Sequence, residues 1–126
     1  MTIPNMTTQI DYFQQLLEEK HYTKDALDSS VALVSLAGND YVAYIFTNGS
    51  PKDMSEFSKA IIKQLAMNLK RIYSLGVQKV GVIGLEPASC LPVNSNQTCS
   101  ETWNRGSKFH NRNLKQAVKI LNNEII

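Results

Sequence analysis

The chain has 126 residues, with 13 lysines and arginines against 11 aspartates and glutamates. This length gives room for one domain with a modest core. The charges are scattered without basic runs, which argues against a nucleic-acid or anionic-membrane surface and favours a small neutral ligand. No apolar run reaches the roughly 20 residues that a membrane-spanning helix needs, and residues 1–9 lack the pattern of a secretion signal.

The first quarter of the chain predicts two helical segments followed by a buried strand. Apolar residues recur at helical spacing over Gln9 to Lys20 and predict an amphipathic helix. Thr23 to Leu27 predicts one further helical turn, capped by the Thr23 side chain. The nearly continuous apolar run Ser30 to Leu36 predicts a strand covered on both faces, which is typical of a parallel sheet.

A polar pair follows this strand. The strand breaks at Gly38 and delivers Asn39 and Asp40 at its carboxyl end, where open α/β sheets place binding and catalytic residues. Asn39 is therefore a candidate site residue, although an asparagine at a strand end also commonly bonds its own turn. Asp40 is interpreted as structural. The next segment, Tyr41 to Phe46, is short and aromatic.

A long helix is predicted after a turn at Thr47 to Ser50. Ser50 is expected to cap it, with Pro51 at its first position, and Gly76 is expected to end it just after Leu75. Its predicted buried stripe consists of Phe57, Ile61, Leu65, Leu69 and Ile72.

A second strand and a last helix complete the prediction. Lys79 to Leu85 predicts a buried strand, which a right-handed crossover makes parallel to the first. The last helix is expected to start at Ser100 or Thr102. The glycines in and before the second strand do not form Gly-x-Gly-x-x-Gly, so a nucleotide-binding loop is not expected and no cofactor or metal is predicted.

The two cysteines and two glycosylation sequons fall in predicted loops. Cys90 and Cys99 are nine residues apart, unlike a Cys-x-x-Cys metal or redox site. We predict a disulfide, which would require an oxidising compartment; two unpaired thiols are the alternative. Asn48 and Asn96 each begin an Asn-x-Ser/Thr triplet where a glycan would be tolerated, and both are glycosylation candidates.

Several segments together resemble the plant GDSL esterase/lipases of the SGNH-hydrolase superfamily. Ala37-Gly38-Asn39-Asp40 is similar to their third conserved block, Gly-x-Asn-Asp. Leu69 to Pro92 resembles their long helix, Leu-Gly-Ala-Arg-Lys turn, strand and Gly-Leu-Pro-Pro-x-Gly-Cys-x-Pro loop. Cys99, Asn104 and His110-Asn111-x-x-Leu114 continue the pattern. The matches run in the family's order from Gln9 onward.

The resemblance implies a fold and a chemistry. The expected fold is α/β, a partial flavodoxin-like three-layer arrangement with two parallel strands and flanking helices, in which residues 1–126 form a single partial domain. The expected activity is hydrolysis of a small ester or lipid by a serine nucleophile, in an extracellular or secretory setting whose leader would lie outside this chain. Asn39 would be the oxyanion-hole donor.

The departures from the family pattern limit that expectation. The 126 residues contain neither Gly-Asp-Ser nor Asp-x-x-His, the blocks that hold the family's nucleophile and base. His21 lies in a predicted polar turn and His110 inside a predicted helix, so neither is expected to be the base. Ala37 replaces the first glycine of the third block, and Gly38 is expected to supply the unusual backbone angle there. Glu86 replaces a proline, which places the local turn in question.

Two functions from different classes follow. Acyl transfer requires an activated nucleophile, so we expect this chain alone to be inactive as an esterase and at most to bind apolar ligands weakly. The alternative is a non-catalytic interaction module that associates with itself or with a relative through exposed sheet edges.

Overall fold

The structure is a computed structural model that describes residues 3–87, 90 and 99–125. Two parallel strands flanked by helices confirm the predicted α/β class. The described residues form two compact units, 3–35 with 65–83 (unit 1) and 36–64 with 84–87, 90 and 99–125 (unit 2). The elements are, in chain order, α1 (Met6–Glu18), α2 (Lys24–Asp28), β1 (Val31–Ser35), α3 (Gly38–Phe46), α4 (Met54–Ser74), β2 (Lys79–Ile83) and α5 (Glu101–Ile125).

Unit 1 contains the sheet. β1 pairs with β2 in parallel, with a register that runs from Val31 opposite Lys79 to Ser35 opposite Ile83. The guanidinium of Arg71 on α4 joins that helix to α1 by reaching Asp11 at 2.6 Å and Gln14 at 2.8 Å. Leu65, Leu69 and Ile72 of the predicted helix stripe are buried in unit 1. The other buried apolar residues of this unit are Ile10, Val34 and Val77.

The expectation that the first strand is covered on both faces is wrong. Side chains alternate between the two faces of a strand. Val34 is buried on one face, whereas Val31 and Leu33 point to the other face and are exposed. Both strands are also shorter than predicted, because β1 ends at Ser35 and β2 at Ile83. No described residue of unit 1 covers the second face.

The helix ends follow from local hydrogen bonding. Asn5 caps α1 by accepting from the Thr8 amide, so this helix begins earlier than predicted. Thr23 caps α2 as predicted, by accepting from the Ala26 amide. Gly76 has φ 112°, which confirms that it ends α4 with a left-handed residue.

The predicted start of the long helix is wrong. Ser50 does accept from the Lys52 amide at 3.2 Å, but residues 51–53 form a turn and the helix begins at Met54. The Phe57 amide donates to the Asp53 carbonyl at 3.0 Å, so the helical hydrogen bonds start there and not at Ser50. Pro51 therefore belongs to the turn that precedes α4.

Unit 2 contains α3, the first part of α4, and α5. The segment after β1 is a nine-residue helix, where the sequence indicated a strand-end loop and a short aromatic stretch. The helix forms because Tyr41 and Tyr44 share one face: both contact Phe57, Tyr41 edge-on and Tyr44 stacked at 4.3 Å between ring centroids. The surrounding core contains Leu36, Ala37, Met54, Ile61 and Leu85.

The unusual backbone angle in this segment belongs to Ala37 and not to Gly38. Ala37 has φ 80° and ψ −15° and is the N-cap of α3, whereas Gly38 is already helical. A Cβ added at Gly38 would meet no atom within 4 Å. The expectation for Gly38 was therefore wrong. Glycine, the residue that the Gly-x-Asn-Asp pattern has at position 37, would adopt this left-handed conformation without strain.

Ala37→Val is expected to lower the free energy of unfolding by about 2 kcal/mol, because a β-branched residue is strained at positive φ and the site is buried. Ala37→Gly should change it by less than about 0.5 kcal/mol, since relief of strain offsets the lost methyl burial. Ala43→Val, at an exposed position of α3, is the size-matched control. Urea unfolding measures all three, and equal losses at positions 37 and 43 would contradict the strain argument.

Candidate active site

Asn39 lies in the first turn of α3, directly after the left-handed Ala37. Its side chain is exposed and makes no hydrogen bond to any residue that the structure describes. In the alternative role, the Asn39 side chain would form a hydrogen bond within its own turn. The described residues show no such bond. Asp40 in the same turn is also exposed, and its charge suits the positive end of the helix dipole.

Tyr41 anchors the turn that carries Asn39. The Tyr41 hydroxyl lies 2.9 Å from His110 Nδ1 on α5 and is hydrogen bonded to it. The Tyr41 ring meets the rings of Phe57 and His110 edge-on, at 5.5 and 5.3 Å between centroids. Tyr41 is itself buried, so two aromatic contacts and one hydrogen bond hold the start of α3 in place, two residues from Asn39.

His110 is a structural residue. Only 1% of it is exposed, and burial lowers its pKa below the usual 6.5. Burial also raises the pKa of Tyr41; the Ser58 hydroxyl partly opposes this rise and the Asp40 charge adds to it. The lowered pKa of His110 and the raised pKa of Tyr41 both favour the neutral forms of these two side chains. A ring that is enclosed and occupied by Tyr41 is not placed to take a proton from a substrate.

The stability of the chain is expected to fall on acidification through His110. Once unfolded, the ring takes up a proton near pH 6.5, whereas the folded state does so only at lower pH. The unfolded state therefore binds more protons as the pH drops below about 7, and the free energy of unfolding decreases. Urea unfolding at pH 7.5 and 5.5 should show this slope, and His110→Gln should reduce it.

His21→Gln is the control for that prediction. His21 is exposed and paired with Glu19 at 3.1 Å, and its replacement leaves the buried ring untouched. The slope is expected to persist in this variant. A slope that survives His110→Gln unchanged would contradict the assignment.

Asn111, the neighbour of His110, holds the chain just after β2. Its side-chain Oδ1 accepts from the Leu85 amide at 2.7 Å, and its Nδ2 donates to the Leu85 carbonyl at 2.8 Å. The Asn111 side-chain amide thus makes the two hydrogen bonds that a neighbouring strand would otherwise make with the backbone of Leu85. The Asn111 side chain also lies against Gly84, where an added Cβ would be 2.9 Å from Oδ1.

Ser107 completes a polar row on α5. Its hydroxyl donates to the Glu86 carbonyl at 2.9 Å, one residue beyond the Asn111 contact. Ser107, His110 and Asn111 are spaced i, i+3 and i+4 and so share one helix face. This face binds both the start of α3 and the segment after β2. The sequence reasoning missed this role, although polar residues at helical spacing among apolar ones were a visible signal.

A cleft of about 510 Å³ lies beside this row. Leu85, Pro87 and the two cysteines line it opposite Asn104, Ser107 and Asn111. The structure joins Cys90 to Cys99 in a disulfide, with Cα atoms 4.7 Å apart, and Asn104 Nδ2 lies 3.4 Å from Cys90 Sγ. Asn104, Ser107 and Asn111 therefore already have partners within the protein, whereas the exposed side chains of Glu101 and Lys108 also line the cleft.

The remaining predicted site residues lie elsewhere. Asn48 is exposed, with φ 60°, in the turn that ends α3, where the Gly49 amide donates to the Tyr44 carbonyl at 2.8 Å. The Tyr44 ring lies against Gly49 and leaves no room for a side chain there. Asn96 lies outside the described residues. Among residues 3–87, 90 and 99–125, the structure thus brings together the two cysteines, but it shows no catalytic base bonded to Asn39.

Two further observations concern the described residues. None of their helices is long and apolar enough to cross a membrane. No group of three or more histidine, cysteine, aspartate or glutamate side chains among them is arranged to hold a metal ion.

Comparison with known proteins identifies a family for this chain. The model of the family described as GDSL-like Lipase/Acylhydrolase matches residues 2–125. Three GDSL esterase/lipases of Arabidopsis thaliana are 47%, 42% and 37% identical over 97%, 97% and 98% of this chain. The chain spans about a third of their length, at 35%, 36% and 35%. No solved structure matches it. The chain belongs to the GDSL-like lipase/acylhydrolase family.

Proposed function

We propose that this chain supplies the oxyanion-stabilising part of a carboxylic-ester hydrolase. The observation that carries the proposal is the exposed amide of Asn39, which bonds no described residue, on a helix start that Tyr41 and His110 hold in place. Family membership and the Gly-x-Asn-Asp-like block support the same role. The substrate class is a small carboxylic ester or lipid.

The chemistry requires a donor at a fixed place. When a nucleophile attacks the ester carbonyl, negative charge develops on the carbonyl oxygen, and the Asn39 Nδ2 group donates a hydrogen bond to it. A donor on an anchored helix needs little reorganisation as the charge forms. The mechanism uses no cofactor. The nucleophile and the base come from polypeptide other than these 126 residues, which contain no Gly-Asp-Ser and no Asp-x-x-His.

The isolated chain is accordingly expected to be inert towards p-nitrophenyl butyrate. The proposal itself is tested in a chimera, in which these 126 residues replace the matched third of one Arabidopsis relative. We expect turnover that a serine-directed inhibitor abolishes. A chimera that folds and shows no turnover, while the unaltered relative is active, would count against the proposal.

We further propose a secretory or extracellular setting. The pairing of Cys90 with Cys99 requires an oxidising compartment, and the exposed Asn48 turn would tolerate a glycan. Mass spectrometry of the protein secreted from a plant expression host, before and after reduction and deglycosylation, tests both features. Free thiols with an unmodified Asn48 would argue against this setting.

The second candidate function is a non-catalytic interaction module that self-associates through its sheet. The exposed apolar residues Val31 and Leu33 favour it. Gel filtration separates the two candidates, because a monomer at micromolar concentration would argue against self-association.

A further inference from the structure

One face of the sheet in unit 1 is apolar and open. The register places Val31 and Leu33 of β1 on the same face as Ile83 of β2. Their exposed fractions are 64%, 73% and 46%. The Leu33 side chain lies over Gly81, its partner across the ladder, so the middle of this face is a continuous apolar surface. Lys79 lies at one end of this surface, opposite Val31, and the exposed Ser35 lies at the other end, opposite Ile83.

Such a face requires a covering layer. Strands of parallel sheets are normally buried on both sides, with helices on each face. In unit 1 only the face that contains Val34 is buried. A two-stranded sheet is also smaller than the four to six strands that are usual. The open face therefore has the composition of a core surface and not of a solvated one.

The length of the relatives indicates what covers the face. The chain matches about a third of each, so about two thirds of each relative is additional polypeptide. A second copy of this chain would bring another Asn39 but neither of the blocks that the sequence lacks. A hydrolase segment that carries the nucleophile supplies both the covering layer and the missing chemistry.

We propose that the open face formed by Val31, Leu33 and Ile83 docks the part of a GDSL hydrolase polypeptide that lies outside the matched third. This inference rests on the proposed function, because it names the partner that completes the same reaction. Docking buries the three apolar side chains and gives β1 and β2 the cover that a parallel sheet has in other α/β proteins.

Co-refolding tests the proposal. The 126-residue chain is refolded with a polypeptide made of all residues of an Arabidopsis relative outside the matched third, with a glycine–serine linker in place of that third. Gel filtration with light scattering measures the complex, and hydrogen exchange measures protection of the β1 and β2 amides. Leu33→Glu is the test variant, and Met67→Glu, at an exposed apolar position of α4 in the same unit, is the matched control.

We expect a 1:1 complex that Leu33→Glu weakens at least tenfold and Met67→Glu leaves unchanged. Circular dichroism of the isolated variants confirms that each retains the fold, since both positions are exposed before docking. No complex, or a complex indifferent to Leu33→Glu, overturns the inference. Homodimers that Leu33→Glu dissociates overturn it in favour of a second copy. A complex without esterase activity leaves the docking intact and contradicts the proposed function instead.

Discussion

Asn39→Ala is expected to lower kcat about 100- to 1,000-fold in the chimera that carries these 126 residues within an Arabidopsis relative, the range typical for loss of one oxyanion donor. KM should change little, because the amide acts on charge that develops only in the transition state. Steady-state hydrolysis of p-nitrophenyl butyrate measures both constants. Because the Asn39 side chain is exposed and bonds no described residue, its truncation should leave the fold intact.

Asn48→Ala is the matched control for that prediction. Both asparagines are exposed, and they lie at opposite ends of α3, but Asn48 is in the turn that closes the helix. Its replacement should leave kcat within about twofold and reduce stability only slightly, because it removes a residue that tolerates the left-handed region. If Asn39→Ala keeps most of the activity, the oxyanion role belongs to another group.

The local features of the fold were predictable from the sequence. Thr23, Gly76 and the apolar stripe through Leu65 each act within a few residues, by capping, by backbone freedom or by helical periodicity. α3 was missed because its helical form depends on Phe57, which lies on another helix. The exposed face of β1 was missed for a related reason. An apolar run shows that a strand can be buried on both faces. It does not show whether the chain also supplies the layer that buries the second face.

The candidate site was predictable in part. Asn39 stands out because a polar pair follows an apolar strand, and that signal is local. The helix start that carries Asn39 is held by the hydrogen bond between Tyr41 and His110, which are 69 residues apart. No sequence spacing predicts a contact between residues so far apart. Ala37 also shows a limit of the prediction. A glycine at this position would have indicated a left-handed backbone, whereas an alanine does not.

Asn111→Leu is expected to lower the free energy of unfolding by about 3 kcal/mol. Leucine has nearly the shape of asparagine, but it leaves both the amide and the carbonyl of Leu85 without their partner. Each unsatisfied, partly buried group costs about 1 to 3 kcal/mol, so the two together cost about 2 to 6 kcal/mol, and partial access to water holds the sum towards the lower part of that range. Urea unfolding measures the loss, and hydrogen exchange should show the Leu85 amide deprotected.

Asn122→Leu is the control, because it makes the same replacement on the exposed face of α5. It should change the free energy of unfolding by less than about 0.5 kcal/mol. Asn111→Asp separates the two hydrogen bonds, since a carboxylate still accepts from the Leu85 amide but cannot donate to its carbonyl. A loss between those of the other two variants would assign part of the stability to each bond. Equal losses in Asn111→Leu and Asn122→Leu would show that α5 does not hold the segment after β2 through this amide.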